Sequence, residues 1–209
     1  LHRFFRAKER RLYALSDMIG CMSPANVEYV LAHNPEVGRE RVEECPNSVE
    51  PVVHEEDVDR KAVLESLGVP ADKTVFIYGG NLGKPQGVDF LLEVVEANER
   101  LGRSFIVVVG SGTEYPRVER WFAERRPLNS KLFKVLPKAD YDRLVRVCDV
   151  GLIFLDRRFT IPNYPSRLLS YLENGMPVLM ATDVNSDIGR IAQENGYGDW
   201  VESGDLAGF

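Results

Sequence analysis

Thr74-Val75-Phe76-Ile77-Tyr78-Gly79-Gly80-Asn81-Leu82-Gly83-Lys84-Pro85-Gln86-Gly87-Val88-Asp89-Phe90-Leu91-Leu92 decides how the chain is read. It opens with an apolar, β-rich run over 74–77 and closes in an apolar pattern of helical period that continues through Val94 and Val95. Between the two, four glycines, a lysine and two amides make a strand-to-helix turn. Glycine lets the main chain approach a ligand closely and adopt positive φ. The start of the following helix offers free N–H groups and a partial positive charge. Such a turn suits a phosphate. It can equally be a plain connector, and on this stretch alone the two readings stand level.

Outward from that turn the pattern is regular. Strands are predicted over 74–78, 105–109, 132–136, 150–155 and 178–181, with a last one near Trp200-Val201. They alternate with helices over 88–101, 115–125, 140–147, 167–174 and 187–195. Short apolar strands between amphipathic helices predict an α/β fold, a doubly wound, Rossmann-like parallel sheet covered by helices on both faces. Toward the N-terminus a helix over 12–18 and a short strand over 18–22 are expected. Ser23 then serves as N-cap and Pro24 as first residue of a helix that stops near Asn34-Pro35. A short strand over 42–45 ends at Pro46-Asn47. The acidic segment over 50–59 reads as a connector, followed by a helix over 60–67 that Gly68 terminates.

The 209 residues suffice for one large domain or one and a part, and the net charge of −6 carries no nucleic-acid footprint. Cys21, Cys45 and Cys148 are scattered, as are His2, His33 and His54; neither set has metal-ligand or disulfide spacing, which fits a reducing, cytoplasmic compartment. No apolar run is long enough to span a bilayer and no signal peptide is visible. The first twelve residues are basic, with Arg3, Arg6, Lys8, Arg10 and Arg11 against Glu9, and Phe4, Phe5, Leu12 and Leu15 can share one side of a helix. Such a helix can lie on anionic lipid at the inner face of a membrane; the plainer reading is a solvated basic face. The chain starts at Leu1, which reads as a piece excised from a longer protein.

Ligands of such sheets bind outside the carboxyl ends of the strands. The Gly110-Ser111-Gly112 turn lacks the third glycine of the dinucleotide fingerprint, and the first turn lacks the Gly-Lys-Ser/Thr ending of a P-loop. A second loop, Ile161-Pro162-Asn163-Tyr164-Pro165-Ser166-Arg167, leads into a helix with Ser166 as its expected N-cap. Free amides around Arg167, Leu168 and Leu169 are then expected to face the strand ends, with the Arg167 guanidinium suited to a phosphate fork. Beside the Gly79–Gly87 turn at the same sheet edge, the phosphate reading is preferred over simple capping.

The ordered series of these motifs resembles the nucleotide-sugar-binding C-terminal half of a GT-B glycosyltransferase, close to the retaining family 4 enzymes of polysaccharide and lipopolysaccharide assembly. Ser23-Pro24-Ala25-Asn26 and Pro46-Asn47-Ser48-Val49 resemble the stretch where that family leaves its acceptor domain. Gly80-Asn81-Leu82-Gly83-Lys84-Pro85-Gln86-Gly87 resembles its first donor-domain turn, and Val109-Gly110-Ser111-Gly112 its second. Cys148-Asp149-Val150-Gly151-Leu152 and Pro165-Ser166-Arg167-Leu168-Leu169-Ser170-Tyr171, with Gly175-Met176-Pro177-Val178-Leu179, resemble its last two βα units.

The resemblance implies that residues 1–48 are the tail of an acceptor domain. Residues 49–209 are then a donor-binding domain that stops before its final helix. It implies a UDP- or GDP-linked sugar as donor, a saccharide or lipid-linked acceptor, and neither metal nor cofactor, since the leaving phosphate can take the acceptor's proton. Donor phosphates are expected at Gly80, Asn81, Gly83, Lys84, Gln86, Ser166, Arg167 and Leu168, and the nucleotide at Gly110, Gly112, Pro137, Lys138, Ser170 and Glu173. The chain departs from the family at four positions. Neutral Asn81 and Gln86 stand where the family has a basic pair. Pro162 and Ser170 stand where it has two glutamates, which leaves no catalytic residue assigned. Two alternatives stay open: a noncatalytic partner-binding module of the same fold, and a nucleotide-sugar epimerase, for which His54 and Asp156 are the side chains to examine.

Overall fold

The computed structural model of the chain describes residues 2–51 and 57–209; His54 lies outside them. In chain order the regular elements are α1 (His2–Leu15), β1 (Ile19–Cys21), α2 (Pro24–His33), β2 (Val42–Glu44), α3 (Arg60–Ser66), β3 (Thr74–Asn81), α4 (Val88–Leu101), β4 (Ser104–Ser111), α5 (Tyr115–Arg125), β5 (Ser130–Phe133), α6 (Lys138–Val147), β6 (Val150–Phe154), α7 (Arg167–Glu173), β7 (Val178–Thr182), α8 (Ile188–Glu194) and β8 (Gly198–Glu202). Six strands form one sheet in the order β5-β4-β3-β6-β7-β8, every pair parallel. The order reverses between β3 and β6, and a ligand crevice in this class of sheet opens at that point, beyond the strands' carboxyl ends.

Strand alternation explains the near-continuous apolar runs. Ile77, Val107 and Ile153 point into one core with residues of α3, α6, α7 and α8. Their neighbours Tyr78, Val108 and Leu152 point into the other with α4 and α5. Both faces are therefore buried, and each fully buried Leu, Ile or Val contributes about 1.5–3 kcal/mol relative to exposure.

The N-terminal part is a small βαβ unit in which β1 and β2 pair in parallel across α2 around Ile19, Val27, Val30 and Val42. The first amides of α2 are all provided for. Pro24 has none, Ala25 N donates to Asp187 Oδ2 at 3.0 Å, Asn26 N to Ser23 Oγ at 3.2 Å and Val27 N to Ser23 O at 3.0 Å. Asn26 Nδ2 also donates to Pro162 O, and Tyr164 N to Met22 Sδ. These bonds seat the unit on the loops that follow β6 and β7.

Four expectations are corrected. The first helix spans 2–15 and ends before Met18. Its Phe4, Phe5, Leu12 and Leu15 are all more than half exposed, while Arg6 and Tyr13 turn inward. Strand β3 runs on through Gly79, Gly80 and Asn81, because its register against β4 continues to Asn81↔Ser111. Strand β5 lies at 130–133, not 132–136: Val135 is exposed and, with Leu136, lines a cavity. Ser166 is no N-cap. Its φ of −59° and ψ of −22° are helical, and its side chain makes no capping bond.

Candidate functional site

A cavity of about 540 Å³ opens at the carboxyl ends of β3 and β4 and is walled by α6 and the start of α7. Gly79, Gly80 and Asn81 form one wall, Val109, Val135, Leu136 and Tyr141 an apolar end, and Asn163, Pro165, Ser166, Arg167 and Ser170 the side toward β6. Both sequence-derived loops thus meet in one cleft.

Arg167 is the centre of the site. Its guanidinium carbon stands 4.2 Å from the Tyr78 ring centroid. Its Nη1 is buried and has no hydrogen-bond partner. No ion pair involves it among the described residues. Gly80, at φ +132°, makes room for it: a Cβ there would lie 3.2 Å from Nη2. A buried guanidinium nitrogen without an acceptor costs free energy, and an anionic ligand is a partner that recovers it.

Tyrosines fix the strand end beneath this cation. Tyr171 is fully buried; its hydroxyl donates to Ile77 O and accepts from Gly79 N, both at 3.1 Å. The Tyr78 hydroxyl donates to Asn81 O at 2.7 Å. Burial pushes the Tyr78, Tyr141 and Tyr171 hydroxyls up from the usual phenol value, with Arg167 opposing in each case. They stay protonated at neutral pH and offer no base. Among the described lining residues there is no His, Asp, Glu or Cys. The arrangement is one for holding an anion beside an apolar end, not for side-chain proton transfer.

The predicted site residues sort as follows. Gly80, Asn81, Gln86, Ser166, Arg167 and Ser170 line the cavity; Gly83, Lys84, Leu168, Gly110, Gly112, Pro137, Lys138 and Glu173 do not. Lys84 is exposed at the start of a 3-10 turn over 84–86. Two of the free amides expected after Ser166 are taken: Leu168 N donates to Pro165 O and Leu169 N to Ser166 O, because helical bonding already begins at Pro165. Leu168 itself packs in the core. Asn81 Nδ2 donates to Gln86 Oε1 at 2.9 Å, one bond that joins the two amides across the turn. Lys138 pairs with Asp142 at 2.6 Å on its own helix. Gly110 and Gly112 are packing positions, where a Cβ would meet Gly80 O at 2.0 Å and Leu82 O at 2.4 Å.

The acids singled out from sequence are structural. Asp149 takes Arg60 Nη2 at 2.9 Å and Val75 N at 2.7 Å at the amino end of the sheet. Asp156 receives Arg158 through Nε and Nη2, and that bond holds its carboxyl below the usual range. Among the described residues no group of His, Cys, Asp and Glu could hold a metal ion. Sequence reasoning missed Tyr78, Tyr141 and Tyr171, since tyrosines in apolar runs read as core.

No protein-family model matches the chain. Over 145 residues it is 27% identical to "Putative colanic acid biosynthesis glycosyl transferase WcaI" of Escherichia coli (strain K12), an alignment covering 67% of this chain and 34% of that protein. Over 128 residues it is 28% identical to "Probable glycosyltransferase WbjE" of Pseudomonas aeruginosa, covering 60% and 31%. The match thus spans about a third of the length of these curated relatives. The crystal structure of Anabaena Alr3699/HepE in complex with UDP and glucose superposes with a TM-score of 0.74 over 96% of this chain and 53% of that one, at 15% identity, a likeness of fold. The chain is thus similar in sequence to two proteins named as glycosyl transferases and has the Rossmann-like fold of GT-B structures.

Proposed function

We propose that the Arg167 cavity binds the nucleotide of a nucleoside diphosphate sugar, and that the whole protein transfers the sugar to a saccharide or lipid-linked acceptor with retention at the anomeric carbon. The observation that carries this is the Arg167 guanidinium, its buried Nη1 without a hydrogen-bond partner, in a cleft at the strand-order reversal. The curated relatives, glycosyl transferases by name, support it, as does a structural neighbour that holds UDP and glucose. In this reading residues 49–209 bind the donor and residues 1–48 belong to the acceptor side. The donor's C1–O bond to phosphate breaks, the acceptor oxygen bonds to C1, and the acceptor's proton passes to the departing diphosphate. Arg167 opposes the charge that develops on that diphosphate, where a preorganised donor acts most strongly. Neither metal nor cofactor enters this scheme. A lining without His, Asp, Glu or Cys among the described residues fits a donor site better than an epimerase.

Calorimetric titration with UDP, UDP-sugars and GDP-mannose tests the reading. One of them binds, and Arg167→Ala weakens it at least tenfold. Failure of all of them to bind returns the chain to the noncatalytic alternative.

The reading extends to a peripheral contact with anionic lipid through α1, supported by the exposure of Phe4, Phe5, Leu12 and Leu15 beside Arg3, Lys8, Arg10 and Arg11. Among the described residues no helix is long and apolar enough to cross a membrane.

A further inference from the structure

Among the described residues that line the Arg167 cavity, none is a carboxylate. Apart from the guanidinium, its polar side chains are the amides of Asn81, Gln86 and Asn163 and the hydroxyls of Tyr141, Ser166 and Ser170. Asn81 and Gln86 are already bonded to each other. Of the nearby acids, Asp142 pairs with Lys138, Asp156 with Arg158, Asp183 accepts from Asn185 N and Ser186 N, and Glu173 at the end of α7 does not line the cavity. With Arg167 taken by the diphosphate, the side chains left in this cavity to meet a ribose hydroxyl are neutral.

That bears on nucleotide choice. A protein tells ribose from 2′-deoxyribose by what it loses when the 2′-hydroxyl is absent, and a carboxylate is the usual reader of that hydroxyl in doubly wound folds. A charged hydrogen bond is worth roughly tenfold to a hundredfold in affinity; a neutral one is worth about fivefold. We infer that this site, read as a nucleotide site, does not discriminate at the 2′ position, so that 2′-deoxynucleoside diphosphates, and sugars activated on them, are ligands of the same standing as ribonucleotides. The donor class of the proposed transferase then includes deoxynucleotide-linked sugars.

Calorimetry of the 209-residue chain with UDP and with 2′-deoxy-UDP decides the matter, since the pair differs only at that hydroxyl. Dissociation constants within about fivefold of each other, the loss of at most one neutral hydrogen bond, are the expected result. A larger preference for UDP, or binding of UDP alone, overturns the inference and leaves the nucleotide site standing. Binding of neither overturns both.

Discussion

The Arg167 guanidinium stands over the ring of Tyr78 on β3, with 4.2 Å between guanidinium carbon and ring centroid. The ring is fully buried on its strand and cannot follow a moving side chain. It offers the cation a fixed aromatic face, and its two parts can be tested separately. Tyr78→Phe keeps the ring and removes the bond to Asn81 O; stability falls by about 1 kcal/mol and nucleotide affinity stays within a factor of two or so. Tyr78→Leu removes the aromatic face, worth about 0.5–2 kcal/mol to a cation, and weakens binding severalfold. Chemical denaturation and calorimetry on the two variants separate these effects. Equal affinity in both would show that the ring does not position Arg167.

Gln86 offers the opposite experiment. It lines the cavity and bonds only to Asn81 in the described contacts, at an exposed position, so its loss costs little stability. Gln86→Lys adds a second cation at the rim. A diphosphate should bind about threefold to tenfold tighter, with the gain shrinking in high salt because rim charges are screened beyond a Debye length of about 8–10 Å. An unchanged or weaker affinity at low salt would place the phosphates away from this wall.

Much of the fold was legible because it is written in alternation. The helices over 88–101 and 115–125 were read with the bounds the structure gives them, and a run such as Val107-Val108 feeds both cores at once. The misreadings have physical causes. Val135 and Leu136 extend an apolar run past the end of β5 because they line a cavity instead of the core. Gly79 and Gly80 look like a turn by propensity, yet the ladder to β4 holds them in the strand. Arg167 was visible as a cation after a strand end. Its stacking on Tyr78 was not, because that contact joins positions far apart in sequence.

The tight meeting of α7 and the sheet predicts a large effect from a single methyl group. A Cβ at Gly151 would lie 2.3 Å from Cδ2 of the fully buried Tyr171 ring. Gly151→Ala must displace that ring and with it the hydroxyl that bonds Ile77 and Gly79. Overpacking of this kind costs about 1–3 kcal/mol, and the lost bonds add to it. Thermal unfolding should show a drop of several degrees or more, together with weaker nucleotide binding; an unchanged melting temperature would mean that Tyr171 is less tightly held than its contacts indicate.

The cysteines differ in chemistry. Burial, with Asp149 adding to it, pushes the Cys148 thiol up from its ordinary value to about 12, while Cys45 is exposed. A raised folded pKa favours the protonated form. That stability is fully present below the unfolded thiol value and is lost as pH rises toward about 12. Iodoacetamide at pH 8 should therefore label Cys45 and spare Cys148 until the protein unfolds. Equal labelling rates in the native protein would contradict the packing around Cys148.

Asp187 carries the last prediction. It precedes α8, yet its Oδ2 accepts the Ala25 N–H of α2, 162 positions earlier in the chain. It thereby caps a helix of the N-terminal unit with a negative charge at the positive end of its dipole. Its Oδ1 and the Tyr164 hydroxyl are both buried without hydrogen-bond partners, and the carboxylate, together with burial, pushes that hydroxyl up from its usual value. Asp187→Ala removes the cap and leaves the Ala25 amide without an acceptor, at a cost of about 1–2 kcal/mol. Hydrogen exchange at Ala25 and along α2 should then quicken while the six-stranded sheet keeps its protection. Asp187→Asn, which retains an oxygen for Ala25, should restore most of that protection. If α2 exchanges at the same rate in all three proteins, the N-terminal unit is held by its own βαβ packing and Asp187 is not the link.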